Sequence, residues 1–200
     1  MPEEKQTVPE FHARDRNEWR KWLDDNHLLL ASVWLVIYKK GSGISSVNYE
    51  EAVEEALCYG WIDSKPQKRD DECFLLTFTR RKPKSVWSAL NKKRIEKLML
   101  AKKMKPAGLA AIEIAKQNGS WTSIDKVEAM EMPEELTKAL SRNKKAKEYF
   151  DKFPPSARKG IYQWIATAKT DETKNKRVIE TVSLAEKNIR ANQWTPKDKR

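Results

Sequence analysis

Residues 80–105 of the chain read RRKPKSVWSALNKKRIEKLMLAKKMK. This stretch, called the basic segment below, holds eleven Lys or Arg and a single acid, Glu96, so its formal charge of +10 nearly equals the +11 of all 200 residues. The basic character of the protein is therefore local. Pro83 ends any preceding strand, and Ser85 is a suitable N-cap for a helix at about residues 86–103. A basic helix usually faces an anion or solvent.

Outward from the basic segment, alternating and helical hydrophobic patterns predict the elements of a small sheet domain. Towards the N-terminus these are a hairpin of strands at 61–65 and 73–80, a helix at about 49–58, a strand at 32–40 and a helix at about 15–26. Towards the C-terminus a further helix is predicted from Pro106 to about residue 117. The fold class is therefore α+β, with an antiparallel sheet of about three strands packed against helices.

The C-terminal part shows only helical patterns. Helices are predicted at about 133–141, 144–152, 156–168 and 172–188, after a linker at 120–132. The predicted domains are an α+β sheet domain at 11–118 and a helical module at 130–190. Residues 1–10 and 190–200 are predicted to be flexible tails.

Composition narrows the function classes. Eight Trp in 200 residues argue against disorder, and no window approaches the roughly 20 apolar residues of a membrane span. The N-terminus lacks an apolar signal core, so we expect a cytoplasmic protein. Cys58 and Cys73 show no CxxC spacing and His12 and His27 are the sole histidines, so we predict no metal site, no cofactor and no histidine-based catalysis. Glu50, Glu51, Glu54 and Glu55 are assigned to the outer, solvated face of the helix at about 49–58. No acid pair stands out, so no catalytic residue is predicted.

A helical wheel of the basic helix predicts which of its side chains are buried. The apolar face would comprise Trp87, Leu90, Ile95, Leu98 and Met99. Two polar residues, Asn91 and Arg94, fall inside that face, whereas neighbouring lysines point away from it.

Inward-facing polar side chains need partners. One interpretation is a structural network in which Arg94 pairs with a carboxylate, for which Asp63 is the candidate. The other is a ligand pocket lined by Asn91 and Arg94.

The start of the basic helix has features of an anion site. This site would be formed by the free N–H groups of the first turn, the hydroxyls of Ser85 and Ser88, and the side chains of Arg80, Arg81, Lys82 and Lys84. The alternative is an ordinary N-cap beside solvated lysines. The residues predicted to bind a ligand are Asp63, Arg81, Ser85, Trp87, Ser88, Asn91 and Arg94.

The outer face of the basic helix offers a second kind of partner. Lys92, Lys93, Lys97 and Lys102 could hold a nucleic-acid backbone without reading its sequence. Few aromatic residues are interleaved with them, so base readout is not predicted.

The chain resembles the YdeI/OmpD-associated family, often labelled bacteriocin-protection proteins. The resemblance covers about residues 10–190, and its most specific run is 56–94. It rests on the following motifs: Trp34-Leu35 with Lys39-Lys40, YEEAV from Tyr49, ALCYGWID ending at Asp63, RKPKS ending at Ser85, Trp87-Ser88 with Asn91, Lys92 and Arg94, MKPAG ending at Gly108, and Trp164-Ile165-Ala166 with Ala168, Thr173 and Lys176-Arg177. Arg80 and Lys174 depart from the family pattern.

The resemblance implies an α+β domain with an antiparallel sheet, a C-terminal helical module, and a protective or stress role in bacteria. It supplies no catalytic residue and no cofactor. We therefore expect a non-enzymatic protein that binds an anionic small molecule or an acidic protein. The alternatives are non-specific nucleic-acid binding through the basic helix, and an enzyme that uses a pocket at Asp63, Asn91 and Arg94.

Overall fold

The computed structural model describes residues 8–193, which fall into two compact units divided between Thr122 and Ser123. The N-terminal unit is a mixed sheet packed with helices, and the C-terminal unit is helical, so the α+β class is confirmed. The predicted domain ranges, 11–118 and 130–190, stay a prediction. Most of the two predicted tails lies outside the described residues.

The N-terminal unit holds five strands and four α-helices within the described residues. In chain order they are β1 (Glu10–His12), α1 (Arg16–Asn26), β2 (Ser32–Tyr38), α2 (Tyr49–Cys58), β3 (Trp61–Asp63), β4 (Gln67–Lys68), β5 (Cys73–Arg80), α3 (Ala89–Leu100) and α4 (Pro106–Gln117).

The sheet has the strand order β1-β2-β5-β3, with β4 also paired to β5. The three predicted strands are adjacent and antiparallel: β2 pairs with β5 from Ser32 opposite Thr79 to Tyr38 opposite Cys73, and β3 pairs with the other edge of β5. The sheet has five strands where about three were predicted. The two additional strands are short: β1 pairs in parallel with β2, and β4 pairs antiparallel with β5. β1 begins at Glu10, at the end of the stretch predicted to be a flexible tail.

The helices α1 and α2 cover the sheet with large apolar side chains. Asp15 caps α1, and Asn48 caps α2 through a capping box with Glu51. Trp19 and Leu23 of α1 are fully buried, and the Trp19 indole N–H donates to the carbonyl of Ala52 at 3.0 Å. That hydrogen bond fixes α1 against α2.

Two glycines let α4 approach the end of α2. Gly60 has a φ of +73°, which favours glycine, and a Cβ there would lie 3.0 Å from the Ala107 carbonyl oxygen. A Cβ on Gly108 would lie 2.2 Å from the carbonyl oxygen of Cys58, which is closer than backbone atoms tolerate. The small residues of α4 are thereby held beside the turn between α2 and β3.

The C-terminal unit consists of five helices in the described residues: α5 (Asp125–Glu128), α6 (Glu134–Ser141), α7 (Lys144–Asp151), α8 (Pro155–Ala166) and α9 (Asp171–Ala185). Its core includes Leu136, Leu140, Phe150, Ile161 and Ile165, each at most 1% exposed. The predicted linker at 120–132 contains α5, whose Val127 is buried. Apolar residues at 124 and 127 of that stretch were the signal for this short helix.

The wheel of the basic helix needs a correction. α3 begins at Ala89 with Ser88 as its N-cap, later than predicted, and Trp87 precedes it. Ile95, Leu98 and Trp87 are buried as expected, but Leu90 and Met99 are 58% and 48% exposed. The helical wheel started from Trp87, which lies before the helix. The predicted apolar face was therefore too wide, and the two residues at its margins, Leu90 and Met99, are exposed.

Candidate functional site

Ser88 and Ser85 lie before the first turn of α3. The Ser88 hydroxyl accepts a hydrogen bond from the Asn91 backbone N–H at 3.3 Å, so Ser88 is occupied as the N-cap. Ser85 is half-buried, and its backbone N–H closes a turn to the carbonyl of Lys82. Both serines therefore help to start α3, Ser88 as its N-cap and Ser85 in the turn before it.

Arg94 is buried and fully engaged with its neighbours. It is 7% exposed, its Nη1 donates to Asn91 Oδ1 at 3.0 Å, and its Nη2 forms an ion pair with Glu50 of α2. The prediction that Asp63 would pair with Arg94 was wrong. Because α2 packs beside α3, the carboxylate that reaches the guanidinium is that of Glu50. Arg94 therefore joins two helices.

Asp63 makes a different contact, with Tyr49 of α2. The Tyr49 hydroxyl donates to Asp63 Oδ2 at 2.9 Å. Burial, then the hydrogen bond to the Asp63 carboxylate, raises the pKa of Tyr49 to about 12. Asp63, Asn91 and Arg94 thus do not form one shared set of hydrogen bonds.

Arg81 lies directly after β5 and is held there by both its backbone and its side chain. Its backbone N–H donates to the Gly60 carbonyl at 3.0 Å, and its Nη1 donates to the Val86 carbonyl at 3.0 Å. The guanidinium carbon lies 3.5 Å from the centre of the buried Trp87 ring. This stacking fixes the plane of the guanidinium.

The other two nitrogens of Arg81 are left without a partner. Nε and Nη2 are both buried and find no hydrogen-bond acceptor among residues 8–193. Within that range, Arg81 is the one side chain that leaves two buried nitrogens unsatisfied. These two nitrogens form the side edge of the guanidinium, which binds a carboxylate or phosphate through two parallel hydrogen bonds.

Electrostatics agree with this geometry. Burial lowers the pKa of Arg81 from its usual range to about 10, and the charge of Asp63 opposes the shift without a hydrogen bond between the two. Desolvation disfavours a cation that lacks a paired anion. An anion brought to Arg81 would reverse that penalty.

Arg81 forms part of the wall of a cavity of about 180 Å³ in the N-terminal unit. One side of this cavity, called the Arg81 cavity below, is cationic, with Arg80 and Lys82 beside Arg81. Another side is apolar and comes mainly from α4, and its residues are Ala107, Ala110, Ala111 and Ile114. Trp87 also lines it. The close approach of α4 at Gly60 and Gly108 therefore builds the apolar wall.

A wider and more open depression of about 590 Å³ lies over the first turn of α2. Its carboxylates already have partners: Glu50 pairs with Arg94, Glu54 with Arg16, and Glu51 belongs to the capping box. This depression is a weaker candidate for a binding site than the Arg81 cavity, because its carboxylates already have partners within the protein.

Two family models match the chain. Residues 11–111, slightly more than half of the 200, match the family described as a domain of unknown function, DUF8412. The chain belongs to this family. Residues 129–188 match the family described as "Bacteriocin-protection, YdeI or OmpD-Associated", so the resemblance to that family is confirmed over this range. Neither the comparison with curated proteins nor the comparison with solved structures gave a match.

The residues that line the Arg81 cavity lie inside the DUF8412 match except for Ile114, and so do Arg94 and its partners Glu50 and Asn91. Arg81, Trp87 and Arg94 were named from the sequence. The sequence did not point to the α4 wall, because alanines at 107, 110 and 111 carry no chemical signal. Glu50 was missed because it was assigned to a solvated face.

The DUF8412 region also contains a buried carboxylate that the sequence analysis placed in solvent. Glu55 is 1% exposed and accepts from Arg16 Nε and Arg20 Nη1, each at 2.5 Å. The expectation of a solvated Glu55 was wrong, because α1 covers this side of α2. Its spacing of three residues from the buried Ala52 was the available signal.

The outer face of α3 matches the nucleic-acid alternative in part. Lys93, Lys97 and Lys102 are exposed, and none of them forms an ion pair with another residue between 8 and 193. Lys92 is half-buried, with its ammonium 5.3 Å from the centre of the Trp121 ring. The four predicted lysines thus divide into three solvated cations and one that packs on tryptophan.

In the helical C-terminal unit, Arg177, which belongs to the family motif, and Lys174, which departs from it, both make contacts within the unit. Lys174 pairs with Glu135, and Arg177 donates to the carbonyl of Trp164 while lying 5.1 Å from the centre of its ring. No group of three potential metal ligands occurs in residues 8–193, and no helix within that range is long and apolar enough to cross a membrane.

Proposed function

We propose that the protein binds a small anion in the Arg81 cavity. The observation that carries the proposal is the unused side edge of Arg81, where two buried donors lack an acceptor within the described part of the chain. A buried donor without a partner costs about 1–3 kcal/mol, and more when the group is charged. A site that accepts this cost in the free protein recovers it when an anion binds.

The surroundings of Arg81 favour a binding site over a purely structural arginine. Stacking on Trp87 and the bond to Val86 hold the guanidinium in one orientation, so little freedom is lost when a ligand binds. The adjoining cavity gives a ligand space beside the arginine. Binding without chemistry fits the arrangement, since Asp63 and Arg94 are engaged elsewhere. The protective role that the YdeI/OmpD-associated description suggests remains part of this proposal.

Thermal-shift measurements with sodium salts of acetate, benzoate, phosphate and sulfate at constant ionic strength test the proposal. A ligand selective for the native state raises the melting temperature with its concentration. We expect at least one anion to do so in the wild type and in Lys93→Ala, but not in Arg81→Met. Equal responses of all three proteins, or none in any of them, would refute the proposal.

The lysine face of α3 supports a second candidate, the binding of nucleic-acid backbone. The exposed cations Lys93, Lys97 and Lys102 lack ion pairs with the described residues, which leaves their charge available to phosphates. Their replacement by Glu should abolish binding to DNA or RNA, and wild-type affinity should fall steeply between low and physiological salt. No binding by the wild type at low salt would remove this candidate.

A further inference from the structure

We infer that the Arg81 cavity takes a small monocarboxylate with an apolar, ring-sized body. The inference rests on the proposed anion site and narrows the class of ligand. Three features carry it: the size of the cavity, the separation of its charged and apolar walls, and the number of donors that Arg81 has left.

The size of the cavity suits a ligand body of about one ring. An engineered protein cavity of about 150 Å³ binds benzene. At about 180 Å³, the Arg81 cavity has room for a six-membered ring and little more. Nucleotides and extended polyanions are too large to be enclosed there.

The walls separate charge from apolar surface. Arg81, Arg80 and Lys82 leave the end of β5 on one side, while Ala107, Ala111 and Ile114 of α4 form the other. A ligand that fits both sides carries its charge at one end and an apolar body at the other. Such a body removes apolar surface from water at the α4 wall, which small inorganic anions cannot do.

The donors left on Arg81 match one carboxylate. Nη1 is used by the Val86 carbonyl, so Nε and Nη2 remain as one pair of parallel donors. The two oxygens of a carboxylate accept such a pair in the plane of the guanidinium. Of the other basic residues that line the cavity, Arg80 and Lys82 are exposed, and the half-buried His27 has its Nδ1 2.8 Å from the Leu23 carbonyl oxygen. None of them is a second buried arginine or lysine for the further charge of phosphate or a dicarboxylate. Desolvating that extra charge disfavours these ligands.

Calorimetric titration of the full chain with acetate, benzoate and benzamide tests the inference. We expect benzoate to bind about tenfold or more tightly than acetate, because the ring adds buried carbon atoms. Benzamide, which has the ring without the charge, should bind about tenfold or more weakly than benzoate, because its neutral amide cannot form the charge-assisted pair with Arg81.

A variant that fills the apolar side sharpens the test. Ala110 is an exposed residue of α4 that lines the cavity, so Ala110→Leu should fold normally. We expect it to weaken benzoate by about tenfold or more and to leave acetate unchanged. Ala166→Leu, the same substitution at an exposed position in the C-terminal unit, is the matched control and should change neither.

The outcomes separate this inference from the proposed function. Binding of acetate or phosphate that depends on Arg81, with benzoate no tighter, would overturn the ring-sized monocarboxylate and leave the anion site standing. Benzoate binding unchanged by Ala110→Leu would also overturn it. No Arg81-dependent binding of any anion would overturn both.

Discussion

Arg81 and Arg94 belong to the same basic segment and both bury most of their guanidinium, yet they are satisfied in opposite ways. Arg94 has a carboxylate from Glu50 and an amide oxygen from Asn91. Arg81 has a single backbone carbonyl and a tryptophan ring, and two of its nitrogens bond to nothing in residues 8–193. Burial alone therefore does not separate a structural arginine such as Arg94 from Arg81, which we propose binds an anion. The difference lies in how many donors the fold itself satisfies.

The largest effect is expected where a buried charge is fully paired, at Glu55. Glu55→Ala would leave Arg16 and Arg20 facing each other without their shared carboxylate. Breaking a buried ion pair in this way typically costs about 3–5 kcal/mol. Urea melts of the variant should show this loss in the free energy of unfolding. A loss of less than 1 kcal/mol in those melts would contradict the account of Glu55 as a buried partner.

Arg94→Ala should cost less than Glu55→Ala, about 2–3 kcal/mol, because the Glu50 left behind is 68% exposed and regains water. Lys93→Ala is the control on the same helix and should stay within about 0.5 kcal/mol. Arg94→Ala and Glu50→Ala should be non-additive, since they remove the same pair. If Arg94→Ala and Lys93→Ala had the same free energy of unfolding, the ion pair of Arg94 with Glu50 would contribute nothing to stability, which would contradict the prediction.

Arg81→Met should change stability by about 1 kcal/mol or less. The bond to Val86 and the contact with Trp87 are lost, but so is the penalty of two unsatisfied donors. The lowered pKa of Arg81 also indicates that this cation disfavours the folded state. Since the unfolded chain binds the proton more tightly, the unpaired charge lowers the free energy of unfolding at neutral pH. Urea melts at pH 7 measure the change. A loss as large as that of Arg94→Ala would mean that Arg81 is a structural residue.

The smallest effect concerns Asp63, whose partner is Tyr49. Asp63→Asn removes the carboxylate that stabilises the phenol, so the pKa of Tyr49 should fall from about 12 towards its usual 10.0. Because the folded pKa is raised, this bond supports the fold below about pH 10, and its contribution disappears as the pH rises towards about 12. Titration of ¹³Cζ-labelled tyrosine by NMR, with Tyr49→Phe for assignment, measures the shift. An unchanged pKa would show that burial alone raises it.

Much of this fold follows from local patterns. The stripe of α2, the capping residues Asp15 and Asn48, and the alternating apolar residues of β2 and β5 each predict their element correctly, because these signals act over a few residues. β1 escaped prediction because three residues carry too little periodicity. α3 was started too early because Pro83 and Ser85 resemble a helix start, whereas Ser88 supplies the actual cap.

Only part of the candidate site could be predicted from the sequence. Arg94 and Asn91 fall on the apolar side of α3, so their inward direction was predictable. The choice of Glu50 over Asp63 depends on how α2 packs beside α3, which no local pattern encodes. The Arg81 cavity combines the end of β5 with a helix that begins twenty-six residues later. The two unpaired donors of Arg81 could not be predicted from the sequence, because they are defined by the positions of all the side chains and carbonyl groups around the guanidinium.

The most direct test of the central claim observes the side chains of the two arginines in one sample. In a ¹H–¹⁵N spectrum of the guanidinium Nε–H groups, assigned with Arg81→Met and Arg94→Ala, sodium benzoate is added at constant ionic strength. The account predicts that the Arg81 signal shifts and exchanges more slowly with water, because its side edge gains an acceptor, while the Arg94 signal stays in place. A spectrum in which Arg81 does not respond, or in which both signals move together, would contradict it.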